Sequence, residues 1–358
     1  MNATVGISGI GLIGSWGTDL AALRAARSDG PGKVRLVESV PAIDGVSRND
    51  MRRMSKLARF SVFAASRAMA DAGRAPERTG LFMGLTHGST SHMVEFHDLL
   101  FDYGPDMASP NSFSNGVTNA PLSSVSAVLK MTCGGTTMLG YENNGCEVLS
   151  YCARAIVDSD YEACLAGSSE EYSPVVHDAY KTCGWLGDSA PPHLPFPREE
   201  GAAGLGISEG GAFAVLQPLS HFTDKKPLCL FSPIDLADWR GGAGVVISGA
   251  GAGPQDGYEL SALAAIAKAG GPKPALLFTR PLFGETFGLG AMLSALVACD
   301  IVANGAVYPA FPVHPSCAGL FETKMSGPAT SVLVVAAARN GSVSAGLFSR
   351  AESAAVAA

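Results

Sequence analysis

Two rhythms of apolar and polar positions alternate along the chain. Short, nearly unbroken apolar runs read as strands: "ATVGISGIG" near the start, "TGLFMGL" from Thr79, "YEACLAG" (161–167), "GGAFAVLQPL", "PLCLFSPI" and "AGVVISG". Runs of this kind fit strands buried on both faces. Between them lie segments with apolar residues three and four apart. "KLARFSVFAASRAMADAG", "TNAPLSSVSAVLKM", "GYELSALAAIAKAGG" and "TFGLGAMLSALVACDIVANG" read as helices, the first with a glycine stop. Near the end, "ATSVLVVAAA" and "SVSAGLFSR" read as a strand pair joined by "RNG", a hairpin turn signal. Strands alternating with helices predict an α/β layered architecture.

The stretch "LGYENNGCEVLSYCARAI" (139–156) raises a chemical question. A strand-like run ends at Gly140, and a helix begins within a few residues. Free backbone N–H groups at such a turn favour negative charge, and many enzymes mount a nucleophile there. Here the turn carries Glu142.

Two segments lack the rhythm and read as loops, residues 85–116 and 184–204. Ordered loops of that size usually serve a site or an interface. The chain is read as a first half over 1–204, a second half over 205–350 and a frayed tail over 351–358. The first half includes the loop 85–116, a candidate site or interface.

Composition narrows the function. The 358 residues are 47% apolar and 16% charged, with net charge −7 and a pI near 5.5. That charge argues against a nucleic-acid partner. No run has the length and apolarity of a membrane span, and no signal peptide pattern follows Met1. A cytoplasmic protein without membrane association is expected. Eight cysteines show no CxxC pair and no zinc spacing, so reduced structural thiols and no metal are expected.

"GISGIGLIGS" holds Gly9, Gly11 and Gly14 in a literal GxGxxG, with Glu38 as a candidate ribose ligand. An NAD-binding oxidoreductase is a minor alternative on that basis. The helix "TDLAALRAAR" starts too late to open within the glycine motif. Close backbone packing at a strand end explains the glycines equally well.

Taken together, these segments resemble the β-ketoacyl synthase family. "VGISGIGLIGSWGTDLAAL" is similar to its N-terminal strand and glycine turn. "SNGVTNAPLSSVSAVLKMTCGGTTML" is similar to the segment before its nucleophile, with Asn119 at a recurrent asparagine. "CLAGSSEE" carries Glu170, and "LPFPREEGAAGLGISEGGAFAVL" carries Glu209, each where the family keeps a glutamate. "TRPLFGETFGLGAMLSAL" is similar to its Lys-x-x-x-Gly-His helix start. The resemblance implies a thiolase-like, duplicated five-layer α-β-α-β-α fold that is dimeric. It implies pairing through the strand near 161–167. It also implies a Cys-His-His catalytic set and no cofactor.

The departures from that set carry the functional expectation. Counting back from Ala166-Gly167 puts the family's cysteine at Glu142. Its second histidine is Glu285, its lysine is Arg280, and its first histidine position is Gly249. The stretch between Glu209 and Gly249 is shorter than in the family. Cys146, four residues past Glu142, has no histidine to serve it. Loss of all three catalytic groups on a kept scaffold is the pattern of a chain-length factor. Such a subunit pairs with an active ketosynthase in type II polyketide assembly and meets acyl carrier protein through that complex. Glutamine is usual at the cysteine position in that group, and Glu142 departs from it. The short second half resembles partners in polyene-type or other reducing systems. Two readings of these positions stand side by side: Arg280 bridges Glu142 and Glu285 as an ionic plug, or the residues are drift at a site no longer under selection. The resemblance further implies that the loop 85–116 serves the interface and the partner's tunnel, with Phe113, Gly116, Val117 and Asn119 as the candidate tunnel or interface residues. A malonyl-carrier-protein decarboxylase using Glu142 is the alternative.

Overall fold

A computed structural model describes residues 3–26, 33–73, 78–158, 161–186, 206–223, 225–251, 253–311 and 317–351. The junction at 204/205, most of the 184–204 segment and the tail beyond 351 lie outside the described residues, but the strand over Gly210–Gln217, past that junction, groups with the first half in the sheet order.

The first half runs β1 (Val5–Gly14), α1 (Leu20–Ala25), α2 (Arg48–Arg53), α3 (Lys56–Ala72), β2 (Thr79–Leu85), α4 (Thr90–Tyr103), α5 (Pro110–Gly116), α6 (Ala120–Leu129), β3 (Gly135–Leu139), α7 (Asn144–Asp158), β4 (Ala163–Glu170), α8 (Pro174–Thr182) and β5 (Gly210–Gln217). The second runs β6 (Cys229–Ile234), β7 (Val245–Ser248), α9 (Asp256–Lys268), β8 (Ala275–Phe278), α10 (Arg280–Phe283), α11 (Gly288–Asn304), β9 (Ser331–Ala337) and β10 (Val343–Ser349).

Strand order exposes a duplication that sequence repeats do not. The strands lie in the order β3-β2-β4-β5-β1-β6-β10-β9-β7-β8. Counted within each half, both follow the pattern third-second-fourth-fifth-first. Second and third, and second and fourth, are parallel in both halves. The fifth is antiparallel to its two neighbours. β1 and β6 pair antiparallel where the halves meet.

Three apolar cores separate the layers. α7 and α11 share the central core with strand residues of both halves. α11 is buried on nearly every side, as its uniformly apolar sequence requires. α3 and α6 cover the outer face of the first half, and α9 covers that of the second. The result is the five-layer α-β-α-β-α arrangement. Between β6 and β7 the second half has a single 3₁₀ turn (Leu236–Asp238), where the first half has α1 to α3.

The GxGxxG is corrected by its setting. Gly9, Gly11 and Gly14 all lie within β1, and no helix opens among them. A Cβ at Gly11 would stand 2.1 Å from Ala64 O, and one at Gly9 would stand 2.3 Å from Ala72 N, both on α3. These glycines let strand and helix touch backbone to backbone. Gly11→Ala should therefore cost about 1–3 kcal/mol through overpacking. A shift in urea midpoint without a change in slope is the expected reading, and an unchanged midpoint would refute the close approach.

Two further expectations are overturned. Residues 85–116 are helical, forming α4 and α5, the latter started by the Ser109 cap (Ser112 N to Ser109 Oγ, 3.2 Å) and Pro110. α4 has no buried residue, so no core-facing stripe marked it in the sequence. The strand near 161–167 is not an edge. β4 lies between β2 and β5 and is buried throughout, whereas β3 ends the sheet on that side. Among the described residues, no helix is long and apolar enough to cross a membrane.

Candidate functional site

The turn between β3 and α7 is built tightly. A Cβ at Gly140 would meet Asn144 Cγ at 2.7 Å. Asn144 Nδ2 donates to Leu85 O (3.1 Å) and Met138 O (3.0 Å), tying the helix start to the ends of β2 and β3. Gly145 faces α11, where a Cβ would lie 2.3 Å from Met292 N. This geometry fixes Glu142 at the turn, 2% exposed.

Glu142 is not free. Its Oε1 lies 2.6 Å from Arg339 Nη2, and its Oε2 accepts from Arg339 N at 3.0 Å. Arg339 sits on the turn between β9 and β10. Its guanidinium lies over the rings of Tyr180 (4.8 Å), Trp185 (5.3 Å) and Tyr141 (5.7 Å). Nη2 also donates to the Tyr180 hydroxyl. Burial is the largest single influence on Arg339 and opposes its charge, but Glu142 and Tyr180 together outweigh it and the pKa is raised. Burial also raises the Tyr180 phenol, against the pull of Arg339. Beyond it, His87 Nε2 is 3.2 Å from Tyr180 Oη, and the His87 ring meets Phe287 edge-on at 4.4 Å. Glu170 accepts from Thr86 N (2.5 Å) and His87 N (3.4 Å), which holds that loop in place.

Glu285 is the second buried carboxylate. Its Oε2 pairs with Arg280 Nη1 at 2.5 Å, and its Oε1 accepts from Phe287 N at 2.8 Å. Burial raises its pKa; Arg280 opposes the shift and Glu142 adds to it. Phe287 has φ +51°, ψ −130°, a conformation that costs a residue with a side chain roughly 1–3 kcal/mol. The Gln255 amide oxygen, turned to Arg280, accepts from Nη2 at 3.2 Å.

Gly249 follows β7. A Cβ there would lie 2.8 Å from Glu259 Oε1, so Glu259 fills the space a side chain at 249 would enter. Glu259 accepts from Ser248 Oγ (2.9 Å) and Ala337 N (2.7 Å). Burial pushes its pKa up to about 7, against those two hydrogen bonds and Arg280, while Asp256 pushes it further up.

The single bridging plug is therefore corrected to two ion pairs, Arg280–Glu285 and Arg339–Glu142. Arg339 was legible only as part of a turn signal, because its contacts span 159 to 197 positions. Both carboxylates face an arginine and a backbone N–H, a setting that repels a metal ion. No nucleophile stands at the helix start, and Glu142 is closed to an acyl group by its cation. Cys146 is buried and its thiol is pushed up to about 12, chiefly by burial, so it stays protonated.

The tunnel candidates sit on α5 and the start of α6. Phe113 is exposed and meets Phe96 at 5.3 Å. Gly116 is buried, and a Cβ there would lie 3.3 Å from Met93 N. Val117 is half-buried and Asn119 exposed at the α6 N-terminus. Gly116 therefore serves close packing against α4 and has no open volume beside it.

Residues 5–221, more than half of the chain, match the family model "Beta-ketoacyl synthase, N-terminal domain". A putative polyketide β-ketoacyl synthase 1 of Streptomyces halstedii is 26% identical over 200 residues, covering 51% of this chain and 46% of that protein. An oxytetracycline polyketide putative β-ketoacyl synthase 1 of Streptomyces rimosus is 26% identical over 203 residues, with the same coverage of 51% and 46%. The chain spans about half the length of the curated relatives it matches. Among solved structures, the ishigamide ketosynthase/chain length factor shares the fold with TM-score 0.81 at 17% identity, over 98% of this chain and 100% of that one. A β-ketoacyl synthase from Burkholderia phymatum does so with TM-score 0.80 at 18% identity, over 98% and 100%. A third is AntDE:AntF, described as a type II acyl-carrier protein in complex with its ketosynthase bound to the hexaketide. It aligns with TM-score 0.73 at 17% identity, over 98% and 100%.

Proposed function

Because the chain belongs to the β-ketoacyl synthase family, we propose that it is a non-catalytic, chain-length-factor-type subunit of a type II polyketide synthase. It pairs with an active ketosynthase, shapes that partner's acyl tunnel and meets acyl carrier protein through the pair. The observation that carries this reading is the Arg339–Glu142 ion pair at the position where the family mounts its nucleophile. Condensation needs a thiolate and donors for the oxyanion that develops on the thioester. Here the thiolate position is a carboxylate neutralised from within. The histidine positions are Glu285, paired with Arg280, and Gly249, with Glu259 against it. A decarboxylase acting through Glu142 is disfavoured by the same pair, since the carboxylate has no open face. The compact β6–β7 connection favours a partner role in a polyene-type or reducing system.

Pairing is assigned to the β3 edge. Its unpaired backbone groups offer a place for a partner strand, as open sheet edges do. An obligate interface there should bury more than about 2,000 Å².

Glu142→Gln tests the reading in the co-expressed pair. Glutamine keeps an acceptor for Arg339 N, so the turn should hold. Turnover of the complex should stay near that of the unsubstituted pair. A fall of more than about a hundredfold with the heterodimer intact, some 2.7 kcal/mol in barrier, would make Glu142 a participant and sink the non-catalytic reading.

A further inference from the structure

The two halves of the sheet share only a short seam. β6 pairs with β1 over residues 5–7, opposite Phe231, Leu230 and Cys229. Leu228 N still donates to Ile7 O (2.7 Å), but the residue before it is Pro227, which has no N–H to extend the ladder. β1 itself runs on to Gly14 with β5 on its other side. Beyond Ile7 it therefore presents an open edge inside the molecule.

Backbone groups along a strand alternate in direction with period two. Ile10 turns away from β5, since its N–H donates to Asp71 Oδ2 at 3.0 Å. Gly14 also turns away and exchanges hydrogen bonds with Gly17 (2.9 and 3.0 Å). Leu12, midway between them, turns the same way. Among the described residues, nothing bonds to Leu12 N–H, Leu12 C=O or Ile10 C=O. Buried backbone groups are nearly always paired, and Leu12 is only 2% exposed. The edge lines a cavity of about 540 Å³, a volume within the range of ligand sites.

The walls define what fits. Leu12 points into the core shared with α11, and the wall on that side holds Leu20, Cys299 and Ala303. Gly11 faces α3, where a Cβ would lie 2.8 Å from Arg67 Cβ. Four charged side chains line the cavity: Asp19, Arg67, Asp71 and Asp300. Asp71 is turned to Ile10 N, and Asp19 caps α1 at Ala22 N (2.7 Å). Asp300 is held by Arg24, Asn304 and Tyr308. Arg67 is exposed and, among the described residues, is the lining charge given no hydrogen-bond or ion-pair partner.

We infer that the β1 edge at residues 10–12 is a strand-addition site for an extended peptide with an acidic residue between two small apolar ones. In an antiparallel strand, the residue opposite Leu12 exchanges both backbone hydrogen bonds with it and points its side chain to the same apolar wall. The next residue lies opposite Gly11 and faces α3, so a carboxylate there meets Arg67. Main-chain bonds supply affinity, and alternate side chains supply selection. The site lies at the far end of α11 from Glu285 and does not depend on the proposed partner role.

The probe is acetyl-Ser-Val-Glu-Val-Ser-amide, titrated into the 358-residue chain by calorimetry and followed by hydrogen exchange at Leu12. Binding below about 1 mM is expected, with Leu12 exchange slowed about tenfold or more at saturation. N-methylation of the first valine removes the N–H that reaches Leu12 O and should weaken binding about tenfold. N-methylation of the glutamate, whose N–H points away from β1, should leave binding within about threefold. Arg67→Glu, an exposed substitution, should weaken the glutamate peptide about tenfold and spare its glutamine analogue. No binding at about 5 mM, binding with Leu12 exchange unchanged, or equal loss from the two N-methyl peptides overturns the inference. Equal binding of the glutamate peptide by Arg67→Glu overturns the acidic assignment. No second protein enters these measurements, so failure of the proposed pairing leaves their outcome intact.

Discussion

Arg280→Met is expected to destabilise the fold by about 3–5 kcal/mol, because it leaves the Glu285 carboxylate buried without its cation. Arg280 is 2% exposed and pairs with Glu285 at 2.5 Å, so water does not replace the lost partner. The effect should fade in the double variant Arg280→Met, Glu285→Gln. Glutamine still accepts from Phe287 N and carries no charge, and a buried pair replaced as a unit is often close to neutral. The single defect should also depend on pH in a defined direction. Burial already raises the Glu285 pKa above 4.5, and loss of Arg280 raises it further. Protonation then removes the buried charge, so the defect should be largest in mild alkali and shrink as pH falls toward 4.5. Urea midpoints of the single and double variants at several pH values decide it. A single variant within about 0.5 kcal/mol of wild type would mean that the pair is not buried as described.

The same pairs show what could be read from the chain and what could not. Glu142 and Glu285 were legible because each stands at a helix start with strong local signals: Glu142 after β3 with Gly140 before it, and Glu285 between α10 and α11 with Gly284 and Gly288 around it. The strands and the β9–β10 hairpin were legible for the same reason, since apolar runs and turn residues act locally. Arg339, Tyr180, His87 and Glu259 were not. Each reaches the site through contacts between segments distant in sequence, and nothing near Arg339 distinguishes it from a surface turn residue. The helix α4 was missed because periodicity reports burial, and α4 buries nothing in this chain. The sheet edge that the resemblance put near 161–167 lies elsewhere: β4 is buried throughout and interior, and β3, whose residues are exposed or half-exposed, ends the sheet.

Glu259→Gln is expected to change the pH dependence of stability in a way that no surface substitution would. Glu259 is held at a pKa of about 7 against 4.5 in the unfolded chain, first by burial. Between those values the folded chain keeps a proton that the unfolded chain has lost, so the free energy of unfolding falls as pH rises. The contribution is fully present below 4.5 and is lost as pH climbs through about 7. Glutamine mimics the protonated side chain. It keeps an acceptor for Ala337 N and offers an N–H to Ser248 Oγ. The variant should therefore gain on the wild type across this window, by on the order of 3 kcal/mol if the shift is fully expressed. Asp256 and Arg280 are the charged groups that bear on Glu259, and neither is altered by the substitution. Glu171 and Glu285 also have raised values, so the wild-type curve slopes for several reasons. Subtracting the two curves isolates Glu259. Urea midpoints at pH 5, 6, 7 and 8 give the difference, and parallel curves would show that Glu259 is charged throughout. A rising difference would place a neutral carboxyl beside Gly249 at mild acid pH, leaving Glu285 as the charged partner of Arg280.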